Sequence, residues 1–88
     1  MSQWKWYVYV LLCKDQTYYT GNTWCIANRL EQHLSGLGGK YTQVHGVEKL
    51  VYAEEHTDFE TALYREKQIK KWSKYKKEKL IRGEWGKE

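Results

Sequence analysis

Hydrophobic and aromatic residues alternate from the beginning of the chain. Trp4, Trp6, Val8, Val10 and Leu12 share one parity, and Lys5, Tyr7, Tyr9, Leu11 and Cys13 the other, a period of two that predicts a strand. Lys14-Asp15-Gln16 is a turn signal and residues 17–20 are β-branched and aromatic, so a hairpin is expected. With a three-residue loop, residue 13 faces residue 17, odd positions oppose odd ones, and Tyr7, Tyr9 and Tyr19 project from one face. A two-residue loop would turn the second strand over and scatter them.

Gly21 is expected to end that strand, with Asn22 or Thr23 capping a helix. Ile26, Leu30, His33, Leu34 and Leu37 recur at helical spacing, and Ser35-Gly36 with Gly38-Gly39 stops the pattern. Residues 40–47 read as a polar loop and residues 49–53 as a short third strand. Thr57-Asp58-Phe59-Glu60 has the form of a capping box, the Thr57 hydroxyl facing the Glu60 amide. A helix should therefore begin near residue 58, with Phe59, Ala62, Leu63, Ile69 and Trp72 as its buried stripe. Ser73 can cap a last basic helix containing Tyr75, Leu80 and Ile81, and residues 83–88 should fray. The expected class is α+β in layers: a small three-stranded antiparallel sheet flanked by helices, in the order β-β-α-β-α-α.

Length and composition narrow the setting. Eighty-eight residues make one domain, expected over 1–88 with its core at about 5–82. Hydrophobic residues at 41% and charged residues at 30% argue against disorder. No apolar run approaches the roughly 18 residues of a membrane span, and no small-residue cleavage site follows Met1-Ser2-Gln3-Trp4-Lys5. Cys13 and Cys25 are too few for a disulfide scaffold. The expected address is a reducing cytoplasm, with neither membrane nor disulfide partner, and no signal specifies an oligomeric state. The net charge of +4 conceals a split: residues 1–63 carry five basic and seven acidic side chains, residues 64–82 nine basic and two acidic. A basic segment on a nearly neutral body suggests a polyanion partner.

Three features resist a purely structural reading. Glu66 follows Ala62 by four residues and precedes Ile69 by three, inside a stripe that should be apolar. Burying a carboxylate costs several kcal/mol unless it is compensated. Glu66 is therefore either paired with a lysine or arginine, or is a metal ligand or general base in a cleft. Arg29 and His33 stand on adjacent turns of the first helix, where they could grip a phosphate or form a surface arginine beside a half-buried histidine. Eight tyrosines are many for this length, and four lie in the first hairpin. Strand tyrosines pack, but a hydroxyl facing a cleft can position or deprotonate water if nearby cations lower its pKa of about 10.

Taken together these residues resemble the GIY-YIG endonuclease superfamily, in its small single-domain bacterial branch. The stretch WYVYVLLCKDQTYYTG, with Tyr7-Val8-Tyr9 and Tyr19-Thr20-Gly21 about ten residues apart, is similar to the two-part strand motif. Arg29 follows Gly21 by eight residues and His33 follows by four more, as in the family's helix. Gly38-Gly39-Lys40-Tyr41-Thr42, Leu50-Val51-Tyr52, Ala62-Leu63-Tyr64-Arg65-Glu66 and Ile69-Lys70-Lys71-Trp72 are similar to its later segments. The resemblance covers about residues 5–82.

The resemblance implies a hydrolytic phosphodiesterase acting on nucleic acid, DNA before RNA, with a single Mg²⁺ or Mn²⁺ held by Glu66. It implies Tyr9 as general base on the attacking water, Arg29 as neutraliser of phosphoryl charge, and Tyr19 and His33 as orienting groups. Tyr7, Gly21, Lys40, Lys70, Lys71 and Lys74 are the expected substrate-binding residues, with Lys76 and Lys77 adding phosphate contacts that weaken with salt. Departures from the pattern include Tyr7 for the first glycine, Asn22 for an aliphatic residue, Cys25 for an aspartate and Asn28 for a second arginine. Together with Gln43-Val44-His45 in place of a more basic stretch, the loss at Asn28 reduces positive charge around the expected cleft. The alternatives are a binding module that cleaves weakly or not at all, and a protein-interaction domain presenting Trp24 and Trp85. His33, His45, His56, Cys13 and Cys25 show no paired zinc-ligand spacing, and no nucleophile-elbow sequence is present.

Overall fold

Strand β1 (Trp6–Cys13) is the middle of a three-stranded antiparallel sheet of order β2-β1-β3. Being central, it is covered on both faces: Val8 and Val10 are buried on one, Tyr9, Leu11 and Cys13 on the other. The computed structural model describes residues 5–84. Trp4 of the alternating pattern and Trp85 of the basic tail lie outside the described residues.

The hairpin has the three-residue loop. Cys13 and Thr17 face each other through Cys13 N–H to Thr17 C=O at 2.8 Å, and Gln16 N–H returns to Cys13 C=O at 3.0 Å. Gln16 takes the left-handed conformation (φ 71°) that such a loop requires at its last position. Strand β2 (Tyr18–Thr23) then pairs Tyr9 with Gly21 and Leu11 with Tyr19, so Tyr7, Tyr9 and Tyr19 share a face. Contrary to expectation, β2 continues through Gly21 to Thr23.

Helix α1 (Ile26–Leu34) is capped by the extended backbone of Cys25, without a side-chain bond. Neither Asn22 nor Thr23 is the cap; the Thr23 hydroxyl instead accepts from Cys25 N–H at 3.1 Å and shapes the turn into the helix. The helix ends in a Schellman motif, with Gly36 N–H on His33 C=O and Leu37 N–H on Gln32 C=O. Leu37 therefore lies past the helix and is 78% exposed, Leu34 is also exposed, and His33 takes the buried position instead.

The expected loop contains a short helix, α2 (Lys40–His45), between Gly39 and Gly46. Its buried residue is Thr42, whose hydroxyl bonds inward to His33. Tertiary contact, rather than helix propensity, holds these six residues. Strand β3 (Val47–His56) is longer than expected and pairs with β1 along its length, with register shifts between Val10 and Leu11 and between Leu12 and Cys13.

Helix α3 (Phe59–Lys70) starts where the capping signal places it, but the cap is Asp58: its Oδ1 accepts from Thr61 N–H at 2.8 Å. Its stripe is narrower than expected, since Phe59 is largely exposed against Trp6 while Ala62, Glu66 and Ile69 are buried. Helix α4 (Lys74–Ile81) is capped by Ser73, whose Oγ accepts from Lys76 N–H at 3.2 Å. Leu80 is its buried residue, and Tyr75 is exposed. The amides of Gly83 and Glu84 close α4 on Leu80 C=O and Lys79 C=O, and residues 85–88 of the segment expected to fray lie outside the described residues.

Two clusters form the core, one on each sheet face. Val8, Ala62, Ile69 and Leu80 pack with Trp6, Tyr52 and Trp72 beneath α3 and α4. Tyr9, Leu11 and Val47 pack with Tyr19, Leu30 and Leu50 beneath α1. The result is the expected α+β order with one short helix added, in three layers. No helix among the described residues is long and apolar enough to cross a membrane.

Because Asp58 rather than Thr57 caps α3, Asp58→Ala should cost about 1 kcal/mol in urea unfolding, and Thr57→Ala only a few tenths. The reverse ranking would disprove this cap assignment.

Candidate active site

Tyr9 lies at the middle of the sheet, 3% exposed, and its hydroxyl is met by a partner within the protein. That partner is His33 Nε2 at 3.0 Å. The other ring nitrogen, Nδ1, lies 2.8 Å from Thr42 Oγ1, which is 3.3 Å from the carbonyl of Gly39. A carbonyl only accepts, so the Thr42 hydroxyl donates to Gly39 and receives Nδ1–H. This leaves the Nε2 lone pair to accept from the Tyr9 hydroxyl. The chain thus runs Tyr9 to His33 to Thr42 to backbone, with His33 neutral.

Electrostatics favour the same state. Burial pushes the Tyr9 phenol well above the ordinary tyrosine range; Tyr19 and Glu66 add to the rise, and the Arg29 charge opposes it. Burial, helped by Arg29, lowers the His33 pKa. Two glycines make room. A Cβ on Gly21 would stand 2.6 Å from Tyr9 Oη, and one on Gly38 would stand 2.3 Å from His33 Nδ1. Gly21 lies inside a strand because the Tyr9 ring passes over it.

Beneath the opposite face, Glu66 is 8% exposed. One carboxylate oxygen accepts from the Asn22 side-chain amide, and the other pairs with Lys70 Nζ at 2.7 Å. The internal ion pair expected as one alternative is therefore present, supplied from one turn further along α3. Lys70 also stands 6.0 Å from the Tyr19 ring centre, which brings the two halves together at β2, an edge strand. Lys74 lies 5.9 Å from the Tyr18 ring, whose hydroxyl donates to Glu78 at 3.3 Å.

Of the expected site residues, Tyr9, Tyr19, Gly21, His33, Glu66 and Lys70 adjoin directly. Arg29 is partly exposed one turn before His33, near enough for its charge to act on both Tyr9 and His33. Tyr7 shares the Tyr9 face, and Lys40 is exposed at the start of α2. Lys71 does not join the group: with Tyr64, Lys67, Gln68 and Trp72 it lines a separate open groove of about 360 Å³. Of the two alternatives for Arg29 and His33, the engagement of both His33 nitrogens within the protein fits an arginine beside a buried histidine more closely than a shared phosphate grip. Spacing alone does not single out Thr42, Gly38 or Asn22. The only trace of Asn22 is a polar residue where the resemblance would place an aliphatic one.

The donor set suits a hard divalent cation. Glu66 already carries a cation, Mg²⁺ and Mn²⁺ keep several waters alongside one or two carboxylates, and the Lys70 side chain is half-exposed. Among the described residues no three His, Cys, Asp or Glu side chains gather into a protein-only metal cage.

Comparison with known proteins bears on the fold that carries this geometry. The family model of the GIY-YIG catalytic domain matches residues 5–79. A UPF0213 protein of Natronomonas pharaonis is 42% identical over 80 residues, 91% of this chain and 94% of the relative. Another, from Syntrophus aciditrophicus, is 47% identical over 77 residues, 86% and 88% of the two chains. The solution NMR structure of a UPF0213 protein from Bacillus halodurans superposes with a TM-score of 0.58 at 39% identity, covering 93% of this chain and 87% of that one.

The lowered pKa of His33 sets a pH dependence. The unfolded chain takes up a proton near the ordinary histidine value of about 6.5, whereas burial makes the folded chain resist doing so until a lower pH. Stability is therefore full above that value and falls as pH drops through the interval below it. Urea unfolding from pH 8 to 5 should show this decline, and His33→Gln should flatten it. An unchanged slope in the variant would rule out His33 as its source.

Proposed function

The chain belongs to the GIY-YIG family, and from that premise we propose that it hydrolyses nucleic-acid phosphodiester bonds, DNA before RNA, with one divalent metal at Glu66. The observation that carries the reading is a tyrosine bonded to a histidine on one face of the sheet with a nearly buried carboxylate beneath the other, the two flanking β2.

The roles follow from the contacts. Tyr9 is the group placed to take a proton from water, and His33 Nε2 is placed to take the proton of Tyr9, so phenol and imidazole act in series. Thr42 and the Gly39 carbonyl hold the imidazole in the tautomer with Nε2 free to accept. Among the described residues the Arg29 guanidinium has no hydrogen-bond or ion-pair partner, which leaves it for phosphoryl oxygens. Its charge also lowers the Tyr9 pKa, offsetting part of the rise caused by burial. Glu66, held by Asn22, would bind the metal, whose chemistry is to polarise the phosphate and stabilise the leaving oxygen. Lys70 and Lys74, with Tyr19 between the halves, supply the phosphate-facing surface.

A second reading has one specific observation behind it: both Glu66 oxygens already have protein partners. A binding module that keeps the fold without cleaving would use that ion pair structurally. Incubation with Mg²⁺ or Mn²⁺ and labelled single-stranded, duplex, flapped and four-way-junction DNA separates the two. Under the nuclease reading, wild type cleaves, Glu66→Ala does not cleave but still binds in a salt-sensitive manner, and Tyr9→Phe loses about 10²- to 10⁴-fold in rate. Binding without cleavage by wild type on every substrate would leave the module.

A further inference from the structure

Two carboxylates are enclosed beneath the α3 face of the sheet, and they are neutralised differently. Glu54 accepts from the Tyr52 hydroxyl, from His56 at 2.6 Å and from Arg65 Nε at 2.9 Å. The Arg65 side chain is itself only 13% exposed. That guanidinium is planar, held by several groups and enclosed. Glu66 has a single cation, an ammonium on a flexible stem that is 50% exposed. One ion pair is built in; the other can be exchanged.

The surroundings of Lys70 supply a destination. Lys77, one helix on, is partly buried, and its ammonium has no hydrogen-bond or ion-pair partner among the described residues. Burial and the nearby Lys70 charge lower its pKa. An ammonium without a counter-ion that also feels the Lys70 charge favours an anion shared by the two. The anion that α3 and α4 would meet, if the chain acts on nucleic acid, is a backbone phosphodiester.

We propose that Lys70 is an exchange cation: it neutralises Glu66 in the free protein and passes to a substrate phosphodiester, shared with Lys77, when a divalent ion takes the carboxylate. The inference rests on the metal-dependent reading above and extends it to the order of assembly. A dication and an ammonium cannot both sit against one carboxylate without repulsion, so the free protein binds metal weakly. A phosphate that draws Lys70 away removes the competitor, and by reciprocity metal at Glu66 releases Lys70 to strengthen the grip on the phosphate. Metal and nucleic acid are then taken up together.

The test is Mn²⁺ binding by the full chain, followed by electron paramagnetic resonance, with and without a short DNA duplex. A Tyr9→Phe background keeps the strand intact. Lys70→Met keeps the apolar stem and removes the charge. It should bind Mn²⁺ about tenfold more tightly than the Tyr9→Phe parent without DNA, and DNA should tighten Mn²⁺ in the parent far more than in Lys70→Met. Lys70→Arg, which keeps a cation, should resemble the parent. Equal or weaker Mn²⁺ binding in Lys70→Met, with binding still lost in Glu66→Gln, overturns the exchange and leaves the metal reading intact. Mn²⁺ affinity that is the same in Glu66→Gln as in its parent overturns both.

Discussion

The hydroxyl of Tyr9 has to find a hydrogen-bond acceptor inside the protein. An unpartnered buried hydroxyl costs about 1–3 kcal/mol, a large share of the stability of a chain this small. The acceptor is His33, and its position carries consequences outward. His33 must turn inward from α1, so the helix shows Leu34 to solvent, as the turn beyond it shows Leu37. Its second nitrogen must also be satisfied, so Thr42 has to approach, and α2 forms where it does. Gly21 and Gly38 are the spaces through which tyrosine and histidine reach one another. One phenol in the central strand therefore ties the sheet to both elements above it.

Beneath the sheet the same requirement applies to a charge rather than a dipole. Glu66 occupies a position that Ala62 and Ile69 mark as core, where desolvation would cost several kcal/mol without compensation. Asn22 and Lys70 provide that compensation. Asn22 reaches Glu66 because the three-residue hairpin loop pairs Asn22 with Val8 and turns it toward α3. A two-residue loop would have reversed β2, sending Asn22 to the Tyr9 face and Tyr19 to the Glu66 face. The geometry of both halves thus depends on three residues at a turn, including Gln16 in a conformation that non-glycine residues seldom adopt.

Much of this is written in local pattern. The parity of β1, the register of the hairpin, the misplaced carboxylate and the Ser73 cap follow from periodicity and side-chain chemistry within a few residues. The parts that were not legible depend on contacts across the chain. Residues 40–45 carry a loop-like composition and become helical because Thr42 is bound by His33. Gly21 looks like a strand terminator, and only the position of the Tyr9 ring shows why the strand passes through it. Asp58 and Thr57 both fit a capping signal, and one residue of register decides between them. In the candidate site, Tyr9, His33 and Glu66 stand out by type and spacing. Asn22, Thr42 and Gly38 do not, because each acts by holding another residue.

The two halves are also joined electrostatically. Glu66 raises the Tyr9 pKa and Arg29 lowers it, so the proton affinity of the phenol depends on how completely the carboxylate is neutralised. In the free protein Lys70 covers Glu66, burial dominates at Tyr9, and both phenol and imidazole keep their resting protonation. A stronger neutralising charge at Glu66 would weaken the push on Tyr9 from below, while Arg29 continues to act from above. The proton affinity of the buried tyrosine is thereby coupled to the charge of the carboxylate on the other face. Placing the tyrosine and the carboxylate on opposite faces of an edge strand lets each answer to the other without direct contact. The fold achieves this with one glycine in the strand between them.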